Sequence, residues 1–437
     1  MSASEKWQPT RRQLLGAAGT AGLGILLASC AGPGAAPGGG GGAEGVDTSG
    51  EIGGDLSFAH WRGEDREAFE ELIAKFVEEN PGVTVEQDIS TSVDYEAQAL
   101  RRLRGGDIGD VAPAFRGDQF EQFVSAGFFL PLDDTGLTEK YQAALIADGS
   151  RDGTQYGYPY QVVYNVPIAN MDILESIGVT EAPTHWDAYM DMLEKIKAKG
   201  ITPIAFPGAD AGNAGQLMNS MVMNLGPTDD MFARVQSGEY KCTDDWFLEV
   251  LRHYEELAPY IQPNAAGTAV EPAQQMFVTG DAAILSTGSY HIAAARELGA
   301  EFPIDLVPAR TNAEGEGDYV GIYNATFILG LNSAGDNQAT ALAWLEFLSQ
   351  PENAGFYGDA TAQHTSVAGV EYQNEDLQRI APWLERELML APRFQFLDTD
   401  MRNAVEAAGL AAMTGTSPEQ AAEDAQKIVD ERVAAQG

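Results

Sequence analysis

The chain has 437 residues, 44% of them hydrophobic and 9% aromatic, with 26 lysines and arginines against 65 aspartates and glutamates for a formal net charge of −39. The apolar fraction is that of a folded globular protein, and the length exceeds the size at which one core usually stops growing, so two lobes or domains are expected. So negative a surface repels nucleic acid phosphates and anionic headgroups, which argues against nucleic-acid or direct membrane-surface binding; it fits solubility or, more sharply, a preference for cationic ligands.

The first feature along the chain is Thr10-Arg11-Arg12-Gln13-Leu14-Leu15, followed by a weakly apolar run ending in Leu27-Ala28-Ser29-Cys30. The arginine pair resembles a twin-arginine (Tat) export signal and the tetrapeptide resembles a bacterial lipobox. Residues 1–29 are therefore expected to be a cleaved signal peptide, and Cys30 a lipidated residue holding the protein to the outer face of the cell membrane, at the cell surface or in the periplasm. A membrane-spanning helix is the alternative, but the apolar stretch is shorter than the roughly 20 residues a span needs, and Gly16, Gly19, Gly22 and Gly24 dilute it. Residues 30–54 include Pro33, Pro37 and the run Gly38 to Gly42 with no apolar periodicity, the pattern of a flexible tether, so membrane contact is expected through the lipid alone. With Cys30 taken by the lipid, Cys242 stands alone and reads as a buried structural thiol, and no intrachain disulfide is expected in the mature body.

From Asp55 the pattern alternates between strands and helices. Leu56 to Trp61 suits a short strand; Phe69, Leu72, Ile73, Phe76 and Val77 then recur at helical spacing, so one face is apolar and must pack on a sheet. Asn80-Pro81-Gly82 stops that helix before the β-branched Val83-Thr84-Val85. A helix bearing Ala97, Leu100 and Leu103 closes at Gly105-Gly106, and a strand follows near Val111 to Phe115, giving βαβαβ and an open, doubly wound sheet. The alternation resumes after Asn165: Thr184 is the expected cap of a helix with Trp186, Tyr189, Met190, Leu193 and Ile196, and Pro203 to Phe206 a strand. Later come a stripe of Phe247, Val250, Leu251, Tyr254 and Leu257 and strands at Ala283 to Leu285 and Ile304 to Val307. Two α/β sets in one chain point to two lobes, with no close repeat between them.

In open α/β sheets ligands bind beyond the carboxyl ends of the strands. Those positions are Trp61 to Asp65, Phe115 to Gln119, Tyr158 to Tyr164, Pro207 to Asn213, Ser286 to Tyr290 and Tyr319 to Asn324, all rich in aromatics, amides and small residues. The mix suits a carbohydrate, whose C–H face stacks on an aromatic ring while its hydroxyls need polar partners, since an unpartnered buried hydroxyl costs about 1–3 kcal/mol.

Several short pieces occur in a fixed order: Asn80-Pro81-Gly82-Val83, Gly106-Asp107-Ile108-Gly109-Asp110-Val111, Gly127-Phe128-Phe129-Leu130-Pro131-Leu132, Gly157-Tyr158-Pro159, Ala182-Pro183-Thr184-His185-Trp186, Phe277-Val278-Thr279-Gly280-Asp281-Ala282-Ala283 and Ala343-Trp344-Leu345-Glu346-Phe347-Leu348. Together they resemble the extracellular solute-binding lipoproteins of carbohydrate ABC importers, related in architecture to the maltose-binding protein. The chain departs from that pattern at Gly109, where proline is usual, and at Tyr290, where Gly288-Ser289 would be followed by tryptophan. The resemblance implies a two-lobed periplasmic-binding-protein-like α/β fold, each lobe an open doubly wound sheet flanked by helices. Lobe I would take residues 55–160 and 323–366 and lobe II residues 161–322 and 367–437, with hinge strands between. It implies capture of a sugar or oligosaccharide between the lobes and delivery to the membrane subunits of a permease, by a monomer with no cofactor, no metal and no enzymatic activity.

The residues expected at such a site are Trp61, Glu64, Asp65, Arg116, Asp118, Gln119, Tyr160, Gln161, Tyr164, Asn213, Ser289, Tyr290, Tyr323 and Asn324. Trp186, Phe277 and Trp344 fall on amphipathic helical faces and are expected in the core. Two rivals stay open. One keeps the fold and holds a polyamine or other cationic solute by acids and aromatics. The other is an anchored glycan-degrading enzyme, prompted by the acid pairs Asp133-Asp134, Asp229-Asp230 and Asp244-Asp245, although adjacent acids point in different directions and glycosidases need two carboxyl groups about 5–10 Å apart.

Overall fold

The computed structural model describes residues 45–105, 109–209 and 215–436. The expected signal peptide, Cys30, most of the tether and Asn213 lie outside them.

Strands β1 (Gly54–His60), β2 (Val83–Ile89) and β3 (Val111–Ala114) are parallel in the order β2-β1-β3, and the helices between them are α1 (Arg66–Glu79) and α2 (Ser92–Gly105). The expected 3.6-residue stripe is what α1 buries, through Phe69, Leu72 and Phe76. Each such side chain contributes about 1.5–3 kcal/mol by leaving water, and Phe69→Ala would cost about 3–5 kcal/mol with the cavity it leaves. After α3 (Asp118–Ser125) and a small hairpin of β4 (Ser150–Arg151) and β5 (Thr154–Gln155), the chain enters β6 (Tyr158–Val163), buried at every position.

The chain then builds a second sheet. Its strands are β7 (Ile168–Asn170), β8 (Thr202–Ala205), β9 (Ala282–Leu285) and β10 (Ile304–Leu306), in the order β10-β7-β9-β8. Around them lie α4 (Met171–Glu175), α5 (Trp186–Ala198), α6 (Gln216–Val222), α7 (Met231–Gln236), α8 (Asp245–Leu257), α9 (Val270–Val278) and α10 (Ile292–Glu297). Helix α5 starts one residue later than Thr184 implies, with His185 at the cap position and no side-chain cap bond. The reason is local: the Thr184 hydroxyl pairs with His185 Nδ1 at 3.2 Å, and the Trp186 amide donates to the Asn312 carbonyl at 3.0 Å.

The long strand β11 (Gly321–Leu331) returns to the first sheet between β6 and β3, and α11 (Gln338–Leu348), α12 (Pro351–Thr361) and β12 (His364–Thr365) complete that side. Finally α13 (Glu375–Ile380), β13 (Leu388–Leu390), α14 (Thr399–Met413) and α15 (Pro418–Gln436) close the chain, β13 pairing with the first residues of β11. Both sheets are mixed rather than all parallel: β11 runs antiparallel to β3 and β6, and β7 antiparallel to β9 and β10. Geometry requires this where a strand that leaves a sheet for the other lobe lies beside the strand that returns.

Two large cores result. One gathers Phe58, Phe69, Phe76, Phe327 and Trp344 around the first sheet, and the other gathers Trp186, Tyr189, Leu251, Phe277 and Ile284 around the second. Cys242 is buried in the second, and burial pushes its thiol up to about 12, so it is inert at neutral pH. The chain crosses between the two sides after β6, after β10 and after β12, and a third, small cluster joins Leu145 to Val162 of β6 and Ala325 of β11. Among the described residues no helix is long and apolar enough to cross a membrane.

Candidate ligand-binding site

A cavity of about 330 Å³ is lined from both sheets. From the first sheet come Trp61 and Arg62 just past β1, Phe115 to Gln119 just past β3, Glu96 and Leu100 on α2, Gln161 and Val163 on β6, and Asn324 and Thr326 on β11. From the second side come Asn165 after β6, Gln216 at the start of α6, Tyr290, the Arg393 to Phe396 loop after β13, and Thr399 and Arg402 on α14.

The aromatic floor is fixed by packing. Trp61 lies parallel to Phe115 with ring centroids 3.8 Å apart, and Tyr95 and Phe327 close its other sides at 5.1 and 4.9 Å. Phe327 holds a left-handed backbone (φ 55°), rare for a bulky residue, in the middle of β11. Asp65, only 2% exposed, sits behind the wall: it takes the Arg62 guanidinium at 2.8 and 3.0 Å and accepts from the Tyr357 hydroxyl at 2.5 Å and from Gln161 Nε2 at 3.2 Å. Arg62, thus aimed, also meets the exposed Glu64 at 2.9 Å. Burial holds the Tyr357 phenol well above its ordinary value, with the Asp65 charge adding to it, so it stays a donor.

The opposite wall is held by an ion pair and a helix cap. Arg393 makes a two-point ion pair with Glu406 at 2.7 and 3.0 Å, both side chains being buried, and its amide donates to Asn219 Oδ1 at 3.0 Å. Asp398 caps α14 by accepting from the Asp400 and Met401 amides, which fixes the first turn that carries Thr399 and Arg402. Arg116 spans the two sides: it pairs with Asp148 at 2.8 Å, donates to the Ala391 carbonyl at 3.2 Å and lies over the Phe394 ring. Gly117 (φ 87°) permits this approach, because a Cβ there would come within 3.0 Å of the Phe394 carbonyl oxygen.

Among the described residues, four polar atoms of this lining are buried without a hydrogen-bond partner: Gln119 Nε2, Asn165 Oδ1, Asn324 Oδ1 and Arg402 Nε. The other end of two of these amides is committed. Gln119 Oε1 accepts from the Phe115 amide at 2.9 Å, and Asn165 Nδ2 donates to Gln216 Oε1 at 2.8 Å. Burial, reinforced by the neighbouring Arg393 charge, lowers the Arg402 guanidinium from its ordinary value.

Of the residues expected from sequence, the structure brings Trp61, Arg116, Asp118, Gln119, Gln161, Tyr290 and Asn324 to this cavity. Asp65 and Glu64 lie behind it on Arg62. Tyr160 points into the first core, its hydroxyl donating to the Leu348 carbonyl at 3.2 Å, and Tyr164 is buried against His364. Ser289 supports its neighbour Tyr290 from the backbone of Tyr164, and Tyr323 packs at the crossing with the Leu145, Val162 and Ala325 cluster. Arg62, Glu96, Asn165, Gln216, Arg393, Phe394 and Arg402 line the cavity without having been singled out. The alternation of Arg393-Phe394-Gln395-Phe396 before the capped helix was the available signal for the last group.

The family model described as bacterial extracellular solute-binding protein matches residues 62–355. Among similar proteins, an uncharacterised ABC transporter extracellular-binding protein of Pyrococcus horikoshii is 22% identical over 315 residues, 68% of each chain. The multiple sugar-binding protein of Streptococcus mutans is 23% identical over 327 residues, 70% of this chain and 74% of its own. Among solved structures, a chitin oligosaccharide binding protein has a TM-score of 0.73 at 22% identity, covering 88% of this chain and 100% of its own. RafE in complex with raffinose has a TM-score of 0.71 at 18% identity, with 87% and 98% covered. At such identities the structural likeness speaks for the fold, and the sequence match speaks for the family: this chain belongs to the bacterial extracellular solute-binding proteins.

Proposed function

We propose that the chain is the substrate-binding component of an ABC importer and captures a sugar or oligosaccharide in the cavity between its sheets. The observation that carries this reading is the chemistry of the four unpartnered atoms, two donors (Gln119 Nε2, Arg402 Nε) and two acceptors (Asn165 Oδ1, Asn324 Oδ1) beside aromatic rings. A ligand that satisfies all four must both donate and accept, which a hydroxyl does with one atom. An ammonium only donates and leaves Gln119 and Arg402 unmet, so a polyamine fits worse. The names of relatives and neighbours, among them a multiple sugar-binding protein and a raffinose complex, agree with a sugar.

Ligand touching both walls favours the closed arrangement by its extra contacts there, with the three crossings acting as the hinge. The closed form is the one a permease would receive. The matched relatives and neighbours are binding proteins, and the reading assigns no bond-making step to the cavity carboxylates Glu96 and Asp118. The protein is a monomer anchored outside the cell through a lipid on Cys30. A thermal-unfolding screen of purified protein against neutral sugars, oligosaccharides and polyamines tests this. Ligand at a hundred times its dissociation constant should stabilise by about 2.7 kcal/mol, and chromatography should recover it intact. Stabilisation by polyamines alone, or turnover of the sugar, would refute the reading.

A further inference from the structure

The connector between β10 and β11 borders a second cavity, of about 240 Å³, that shares no residue with the first. Its walls are the loop at residues 180–184, the end of β10, Arg310, Val320 and the Trp383–Arg386 turn. Arg310 is 8% exposed, its Nε is buried without a partner, and its guanidinium has no hydrogen bond or ion pair among the described residues. That is anomalous here. Of the other deeply placed arginines, Arg62 pairs with Asp65, Arg116 with Asp148 and Arg393 with Glu406, and Arg402, which also lacks an ion pair among the described residues, lines the first cavity, in a chain with 65 acidic residues to choose from. Buried charges are normally paired or bind an ion, because desolvation is otherwise uncompensated. The carboxylate on the same wall, Asp305, makes no ion pair with Arg310; its Oδ1 accepts from Trp383 Nε1 at 3.0 Å and from the Leu306 amide at 2.7 Å. Glu181 is exposed, and at the mouth a second guanidinium, Arg386, lies 4.4 Å over the Trp383 ring.

We propose that this cavity is a binding site for a compact oxyanion, a phosphate or carboxylate group, held by the Arg310 guanidinium with Arg386 at the entrance. The planar fork of arginine donors matches two oxygens of such a group, and the cavity is large enough for a small anion while remaining walled by protein. The site is separate from the sugar cavity and stands whether or not that reading does.

The test titrates the purified full chain with sodium phosphate and, separately, sodium acetate, against sodium chloride at matched ionic strength, reading heat and thermal unfolding. Saturable stabilisation by phosphate, acetate or both, beyond that of chloride, is expected, with phosphate-only and shared responses naming the anion class. Arg310→Gln should weaken it at least tenfold while unfolding in chloride no earlier than the parent, since an uncompensated charge is gone. Glu181→Gln should leave stability unchanged and tighten the anion. Equal responses to all three salts, or a response that survives Arg310→Gln, would overturn the proposal. So would equal loss of stability in Arg310→Gln and Glu181→Gln, which would make those two residues each other's partner.

Discussion

Tyr164 and Ser289, one at the end of the first crossing and the other on the second side, exchange two hydrogen bonds: the Ser289 amide donates to the Tyr164 carbonyl and the Tyr164 amide donates to Ser289 Oγ, each at 3.0 Å. They set Tyr290 beside the cavity. Gly288 makes room, since a Cβ there would meet the Tyr290 ring and the Tyr164 carbonyl oxygen at 2.3 and 2.7 Å. Ser289→Ala leaves the Tyr164 amide buried and unmet, and is expected to cost about 1–3 kcal/mol of stability in urea unfolding. Tyr290→Ala should weaken sugar binding, read by calorimetry, while leaving unliganded stability within about 1 kcal/mol; unchanged affinity would remove Tyr290 from the site.

The unpartnered amides yield a contrasting pair of effects. Asn165→Ala and Gln119→Leu each take away an unmet buried atom together with one hydrogen bond, that of Asn165 Nδ2 to Gln216 Oε1 or of the Phe115 amide to Gln119 Oε1; the two effects offset, so unliganded stability should stay within about 1 kcal/mol of the parent. Sugar affinity should fall by about 1–3 kcal/mol, roughly five- to 150-fold. Loss of stability without loss of affinity would make these residues structural.

Asp65 should behave oppositely. Asp65→Asn leaves Arg62, 14% exposed at its side chain, with only the solvated Glu64 as a charge partner. Removing one member of a buried pair costs about 3–5 kcal/mol, so the melting temperature should drop and sugar binding should weaken with it.

Two histidines give a pH signature. Burial lowers His60 and His364 to about 4 from an ordinary value near 6.5. Arg62 donates its amide to His60 Nδ1 at 3.1 Å, so the ring proton is on Nε2, which donates to Gln87 Oε1 at 2.9 Å. Both rings are thus neutral when folded, while the unfolded chain protonates them below pH 6.5. Unfolding then takes up protons, and the stability fully present above pH 6.5 is lost as pH falls toward 4, by about 2–3 kcal/mol per histidine between pH 7 and 4.5. Urea unfolding of His60→Gln across that range should show a shallower dependence than the parent; an identical slope would contradict the assignment.

The sequence carried the periodic information well and the convergent information less well. The stripe of α1 and the β-branched β2 obey local patterns, and Trp61, Asp118 and Gln119 follow strands directly, where a parallel sheet exposes its strand ends. On β6 the pattern is silent, because all six residues are buried and alternation no longer separates Gln161, which reaches the cavity, from Tyr160, which does not. Asp65 reads equally well as a helix-start acid and as a ligand contact, and only the approach of Tyr357, 292 residues away, makes it a support for Arg62. Arg393, Phe394 and Arg402 arrive from the far end of the chain through β13, a three-residue strand too short to leave a period.

The most direct measurement is a crystal structure of the protein with the sugar that stabilises it best. The account predicts one molecule between the two sheets, with hydroxyls at hydrogen-bond distance from Gln119 Nε2, Asn165 Oδ1 and Asn324 Oδ1 and a pyranose face against an aromatic ring. Sugar bound to one side only, or elsewhere with those atoms still unmet, would contradict it.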